Sequence, residues 1–281
     1  MILWLLAPGL VVYASLCWIA SSKFIHVRGR YVRSGESTTG LAEITAVTDD
    51  GLTLRGSYVE PPHPHGVLVL FHGIGGERYR SFLSYVAIWG LVGVSFDFRG
   101  HGVSDGDACT FGWEERRDVA AVIGAVRSRW PGMKIAAWGI SLGGAALCYA
   151  AEVTRDLDAV VLESVYRDID SAFEKRVRSH APAWTVPFTL PAKWLVSLRL
   201  GIDPATMRPV DFMCRLRPDR VLVTTGERDP WAGPDDLGSL CAQLPGCTSD
   251  VVAGAFHHDV WAVGGRPYAA RVLTFVDARL R

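Results

Sequence analysis

Short apolar runs alternate with segments whose apolar residues fall three and four positions apart along most of this chain. The runs predict strands near 41–48, 52–59, 66–71, 91–97, 134–139, 158–163, 220–225 and 249–253. The segments between them predict helices near 79–89, 113–129, 142–152, 234–243 and 265–279. This alternation predicts an α/β fold, with a mostly parallel eight-stranded sheet covered by helices on both faces.

Two stretches break the pattern. Residues 1–22 contain no charged side chain and include Trp4 and Trp18. About 20 helical residues cross the hydrocarbon core of a bilayer, so this stretch is expected to be a membrane anchor. Residues 23–39 read as a linker, and Lys23, Arg28, Arg30 and Arg33 place its positive charge after the apolar run. That asymmetry favours a cytoplasmic-facing domain. A cleaved signal peptide on an exported protein is the alternative, although a signal usually carries its positive charge ahead of the apolar run. The second break, 165–217, follows the sixth strand and reads as a cap inserted into a domain spanning 40–281. It carries Trp184, Phe188, Trp194, Leu195 and Leu198, and Pro182, Pro187 and Pro191 are expected to divide it into short pieces. Such a cap suits an acyl chain or an aromatic group, or its aromatics simply pack it onto the core.

Composition narrows the picture. The 281 residues suffice for one large domain. With 29 basic and 29 acidic side chains the formal charge is zero, so no electrostatic case exists for a nucleic-acid partner. The six cysteines do not identify the compartment, though Cys241 and Cys247 are close enough to bridge in an exported protein. His63 and His65 lie in a proline-rich turn without the neighbours of a metal site. No metal or organic cofactor is expected.

The candidate chemistry centres on Gly139-Ile140-Ser141-Leu142-Gly143, a G-x-S-x-G element between a strand pattern and a small-residue helix pattern. In that context the serine sits on a sharp turn facing the N-terminus of the next helix, where a developing negative charge is favoured. A serine hydroxyl needs a base to take its proton and a third group to orient that base. Asp229 follows the strand at 220–225, and His257 and His258 follow the strand at 249–253. Asp229 is therefore the expected acid and one of the two histidines the expected base. Glu163, at the end of another strand, is a reserve acid and more simply a polar strand cap. The loop His72-Gly73-Ile74-Gly75-Gly76 follows an apolar strand, so the backbone N–H groups of Ile74 and Leu142 are expected to form an oxyanion hole. His72 is assigned to holding that loop.

These motifs, together with Asp97-Phe98-Arg99-Gly100-His101-Gly102, resemble the α/β-hydrolases related to serine aminopeptidases, monoacylglycerol lipases and membrane-anchored acyl hydrolases. The resemblance covers roughly residues 40–280. It implies that Asp97, Arg99 and His101 are structural, shaping the loop beneath the site. It also implies Gly-x-Gly-His before the base; here Phe256 replaces the second glycine, and alignment from Gly254 favours His257 over His258. The expected activity is a serine hydrolase cleaving a hydrophobic, lipid-like carboxylic ester through Ser141, His257 and Asp229. A thioesterase, an aminopeptidase or an acyltransferase would use the same three residues. A binding protein that kept the fold without catalysis is a further alternative, since fold alone does not establish function.

Overall fold

The computed structural model describes residues 2–27 and 40–281, with side chains from residue 8 onward in the N-terminal helix. Arg28, Arg30 and Arg33, part of the positive cluster behind the expected topology, lie outside the described residues. The chain opens with α1 (Ile2–Ile25), then β1 (Ala42–Val47), β2 (Thr53–Val59), β3 (Val67–Phe71), α2 (Arg80–Ile88) and β4 (Val92–Phe96). It continues through α3 (Glu115–Arg129), β5 (Ile135–Ile140), α4 (Leu142–Tyr149), α5 (Ala151–Thr154) and β6 (Ala159–Glu163). Then come α6 (Ile169–Arg178), α7 (Val186–Leu200), β7 (Val221–Gly226), α8 (Pro234–Ala242), β8 (Thr248–Val252) and α9 (Val260–Leu280).

The strands form one eight-stranded sheet in the order β1-β2-β4-β3-β5-β6-β7-β8. β1 and β2 pair antiparallel, as do β2 and β4; every pairing from β4 through β8 is parallel. This is the mostly parallel eight-stranded sheet expected from the alternating pattern, and the α/β-hydrolase architecture that the resemblance implies. Because side chains alternate across a strand, each central strand feeds two cores. Val67, Val69 and Phe71 of β3 join Ile135 and Ala137 of β5 beneath α3 and α4. Leu68 and Leu70 join Ala136 and Trp138 beneath α2 and α9. Burial on both faces explains why these strands read as unbroken apolar runs.

The chain order reverses at β3, whose neighbours are β4 on one side and β5 on the other. In an open α/β sheet such a switch leaves a crevice at the carboxyl ends of the strands. The loop after β3 and the turn after β5 meet there.

Three elements differ from the sequence-based expectation. α7 is a single helix of 15 residues rather than short pieces. Pro187 falls in its first turn, where a missing N–H costs nothing. Pro191 lies inside the helix with its ring on the exposed side, and the N–H it lacks would have served only the Pro187 carbonyl in the first turn. The last helix starts at Val260 and bends at Gly265, whose φ of 51° only glycine adopts freely; the periodicity marks the part beyond this kink. Finally, α1 continues to Ile25, and its residues lie alongside α7. The Tyr13 hydroxyl donates to the Phe188 carbonyl, and the Arg199 guanidinium donates to Ser21 and Ser22 and stacks on Trp18.

Candidate active site

Ser141 is the whole of the turn between β5 and α4. Its φ of 53° and ψ of −111° lie outside the regions comfortable for a residue with a Cβ. Such strain costs of order 1–3 kcal/mol and persists only where surrounding contacts impose it. Here they do. The Ser141 N–H donates to the Glu163 carbonyl at 2.8 Å, tying the turn to the end of β6. A Cβ on Gly139 would meet the Gly143 backbone at 2.6 Å, and one on Gly143 would meet the Phe71 carbonyl oxygen at 2.4 Å. Both glycines are therefore required by close approach of backbone to backbone. Gly143→Ala is expected to destabilise the fold by about 2–4 kcal/mol, because the clash is with main chain that cannot swing aside. A lowered urea midpoint checks this; an unchanged midpoint would mean that the elbow yields.

The turn raises the Ser141 hydroxyl towards the loop after β8. Ser141 Oγ lies 3.0 Å from His257 Nε2, and His257 Nδ1 lies 2.7 Å from Asp229 Oδ2. A carboxylate only accepts, so the Nδ1–H donates to Asp229 and Nε2 is left to accept from the serine hydroxyl. The other Asp229 oxygen, Oδ1, accepts from the N–H groups of Trp231 and Ala232, each at 2.9 Å. Burial opposes ionisation of Asp229, but the hydrogen bond and charge of His257, with those two backbone donors, outweigh it and hold its carboxyl below the ordinary range. Thus the three residues singled out from the sequence converge, contributed by the ends of β5, β7 and β8.

The hydrogen bonds from Ser141 to Asp229 run through His257 rather than His258. The His258 ring packs edge-on against Trp231 and against His257. Burial, with the charges of His257 and Arg176, pushes its imidazole down to about 4, so it is neutral at ordinary pH.

The loop between β3 and α2 is held by two buried histidines. His72 Nδ1 donates to the Gly73 carbonyl at 2.8 Å, and its Nε2 accepts from the Phe98 N–H at 3.1 Å. His101 Nδ1 donates to the Arg99 carbonyl and its Nε2 accepts from Gly75 N–H. Burial, then His101, pushes His72 down to about 3, which keeps the acceptor nitrogen unprotonated. Asp97 accepts from the N–H groups of Arg78 and Val103, while Arg99 bonds Asp50 and Asp118. The loop carrying Ile74 is thereby pinned against the elbow; a Cβ on Gly73 would lie 3.6 Å from Ser141 Cβ. Ile74 and Leu142 both line the cavity above Ser141.

Glu163 stands apart from the imidazole. Its Oε2 accepts from Tyr268 Oη at 2.6 Å and Trp138 Nε1 at 3.1 Å. Burial, reinforced by the Asp229 charge and opposed by these two donors, pushes its carboxyl up to about 7 from 4.5. Between those values the folded chain holds a proton that the unfolded chain has lost, so this group removes stability as pH rises from 4.5 to 7. Glu163→Gln keeps an acceptor for both donors and abolishes the titration. Relative to the parent, the variant is expected to gain about 3 kcal/mol on going from pH 4 to pH 8, read by urea unfolding at each pH. A constant difference across that range would show that Glu163 ionises as easily in the fold as outside it.

Above Ser141 lies a cavity of about 840 Å³. Its walls are largely apolar, with Phe82 from α2, Phe173 from α6, and Val196 and Leu200 from α7. Phe24 of α1 also lines it and packs against Phe111 and Phe173. The polar part of the lining holds two carboxylates, Glu77 and Glu163, and three cations, Arg78, Arg176 and Lys193. The part played by Phe24 had no signal in the sequence, because it depends on where the N-terminal helix docks.

The chain matches the family described as serine aminopeptidase, S33, over residues 62–234. Among solved structures it is similar to the esterase Pf2001 of Pyrococcus furiosus, with 18% identity and a TM-score of 0.74, covering 91% of this chain and 99% of that one. It is similar to the alpha/beta hydrolase GrgF from Penicillium sp. sh18, with 19% identity and a TM-score of 0.66, covering 85% and 99%. It is also similar to a membrane phospholipase A described as a bacterial virulence factor, with 17% identity and a TM-score of 0.62, covering 99% and 96%.

Proposed function

We propose that this chain, which belongs to the serine aminopeptidase S33 family of α/β-hydrolases, cleaves hydrophobic carboxylic esters through an acyl-enzyme on Ser141. The observation that carries the reading is the unbroken run of hydrogen bonds from Ser141 Oγ through the His257 ring to Asp229. His257 Nε2 takes the serine proton as Oγ attacks the ester carbonyl, and Asp229 stabilises the imidazolium that forms. The N–H groups of Ile74 and Leu142 receive the developing oxyanion; Leu142 belongs to the first turn of α4, whose N–H groups have no partner within the helix. His257 then gives its proton to the departing alkoxide. Water repeats the sequence and releases the acid.

The ester bias comes from the cavity. Its apolar walls suit an acyl chain. An aminopeptidase needs carboxylate to hold the substrate ammonium; of the two in the lining, Glu163 is engaged by Trp138 and Tyr268, and Glu77 shares the wall with the cations Arg78, Arg176 and Lys193. The likeness to an esterase and to a membrane phospholipase A, the second extending over α1, agrees with this preference. On this reading residues 1–22 anchor the protein in a membrane, with 40–281 as the hydrolase domain and 165–217 as its cap. α1 is long and apolar enough to cross a bilayer.

The test is a fluorophosphonate probe followed by peptide mapping, together with p-nitrophenyl acetate, octanoate and palmitate as substrates. The expected outcome is a single adduct on Ser141 and specificity rising with chain length. An adduct elsewhere, or faster cleavage of aminoacyl nitroanilides than of any ester, would overturn the proposal.

A further inference from the structure

We infer that α7 is a second lipid-contacting element, seated beside α1 in the acyl region of one membrane leaflet, and that the cavity takes its acyl chain from that leaflet. The inference rests on the reading above in two places, on the ester activity for what enters the cavity and on the membrane anchor for where α7 sits; the apolar face of α7 is an independent observation.

Every exposed residue of α7 is apolar: Pro187, Phe188, Leu190, Pro191, Trp194 and Leu198. Leu198 is 79% exposed, Phe188 61% and Trp194 59%, and Trp184 in the preceding turn is 70% exposed. A surface helix of a water-soluble domain turns charged and polar groups outward. Here the polarity is reversed. The two cations of α7 face inward, Lys193 pairing with Asp170 at 2.8 Å and Arg199 with Ser21 and Ser22 of α1. A contiguous apolar face of this kind marks an interaction surface.

The neighbouring helix identifies the occupant. The exposed row of α1 includes Leu10, Val11, Val12, Leu16, Trp18 and Ile19, and its exposed Ser15 hydroxyl is returned to the Val11 carbonyl at 2.8 Å. The two faces adjoin because α7 runs antiparallel to α1, with Phe188 beside Tyr13 and Arg199 beside Ser21. From Tyr13 to the exposed Lys23 near its end a helix rises about 15 Å, half the ~30 Å hydrocarbon thickness. An α1 that crosses the bilayer therefore carries the N-terminal half of α7 into the near leaflet. A row free of outward charge is what that position requires, whereas a water-facing or protein-facing surface has no such need.

The same two helices wall the cavity. Phe24 of α1 and Lys193, Val196, Ser197 and Leu200 of α7 line it together with Ser141. An acyl chain leaving the leaflet beside these helices meets the apolar side chains of Phe24, Val196 and Leu200 on its way to Ser141.

The experiment uses the full chain in phosphatidylcholine vesicles. Tryptophan emission is measured with brominated phosphatidylcholine, for the parent and for Trp184→Phe/Trp194→Phe. The quenched fraction is expected to fall in the double variant. In parallel, Phe188→Asp/Leu198→Asp alters two side chains that do not line the cavity. It is expected to keep fluorophosphonate labelling and p-nitrophenyl butyrate turnover in detergent within about twofold, and to lose tenfold or more against a long-chain ester dissolved in the vesicles. Identical quenching in parent and tryptophan variant would overturn the seating of α7. So would a detergent-stable dimer that the Asp substitutions dissociate, since the face would then cover a second copy. Absence of butyrate turnover in the parent would instead sink the ester reading, leaving the quenching result to decide the lipid contact.

Discussion

Replacing Ser141 with Ala is expected to reduce ester turnover by about 10⁴-fold or more and to abolish fluorophosphonate labelling, with little change in thermal stability. The separation of the two effects follows from how the serine is used. Ser141 occupies the N-cap position of α4, where a hydroxyl ordinarily accepts from the first helical N–H groups and stabilises the helix by about 1 kcal/mol. Its side chain makes no such bond. The hydroxyl is spent on His257 Nε2 instead, so its removal deletes the nucleophile without deleting a cap. The backbone strain at φ 53° is unchanged, because Ala carries the same Cβ. A variant that retains its melting temperature and loses turnover would establish Ser141 as the nucleophile. A variant that retains turnover would sink the acyl-enzyme mechanism.

Much of this arrangement is legible in the chain, for an identifiable reason. Strands buried on both faces must be apolar throughout, so Val67–Phe71 and Ala159–Glu163 stand out against the helices, and each of these two lies within about a residue of its expected bounds. The elbow is legible because a Cβ on Gly139 or Gly143 would come within 2.4–2.6 Å of main chain, so only glycine fits two positions to either side of Ser141. Asp229 and His257 follow because strand ends are where an α/β sheet puts working groups.

What the chain hides is tertiary. Pro191 signals a break, yet the helix runs through it on an exposed side. The apolar N-terminal stretch signals a span but not its lateral partner: the bonds from Tyr13 to Phe188 and from Arg199 to Ser21 join residues more than 170 positions apart. His65, read as part of a turn, also bonds Asp277 at 2.7 Å. Local periodicity tells which face of an element is apolar and is silent on what covers it. Glu163 shows the same limit: the end of a strand is readable, but not the Tyr268 and Trp138 donors that converge on it from α9 and β5.

Asp229→Asn should cost about 10⁴-fold in kcat near neutral pH while leaving the geometry of the site intact. The reason lies in the asymmetry of the carboxylate. Oδ1 accepts from the Trp231 and Ala232 N–H groups, and Oδ2 faces His257 Nδ1. In the amide, the two backbone donors hold the oxygen at the Oδ1 position, because an NH₂ group there would oppose two N–H groups. The NH₂ must then point at His257. It donates to Nδ1, which shifts the imidazole proton to Nε2. An Nε2–H cannot accept from the Ser141 hydroxyl, so the nucleophile loses its base although no atom has moved. Two measurements separate this from simple damage. The melting temperature should stay within a few degrees of the parent, since both backbone donors keep their acceptor. The fluorophosphonate labelling rate should fall in parallel with kcat, because both need the serine proton removed. A loss of turnover with an undiminished labelling rate would contradict the tautomer argument and place the defect after acylation.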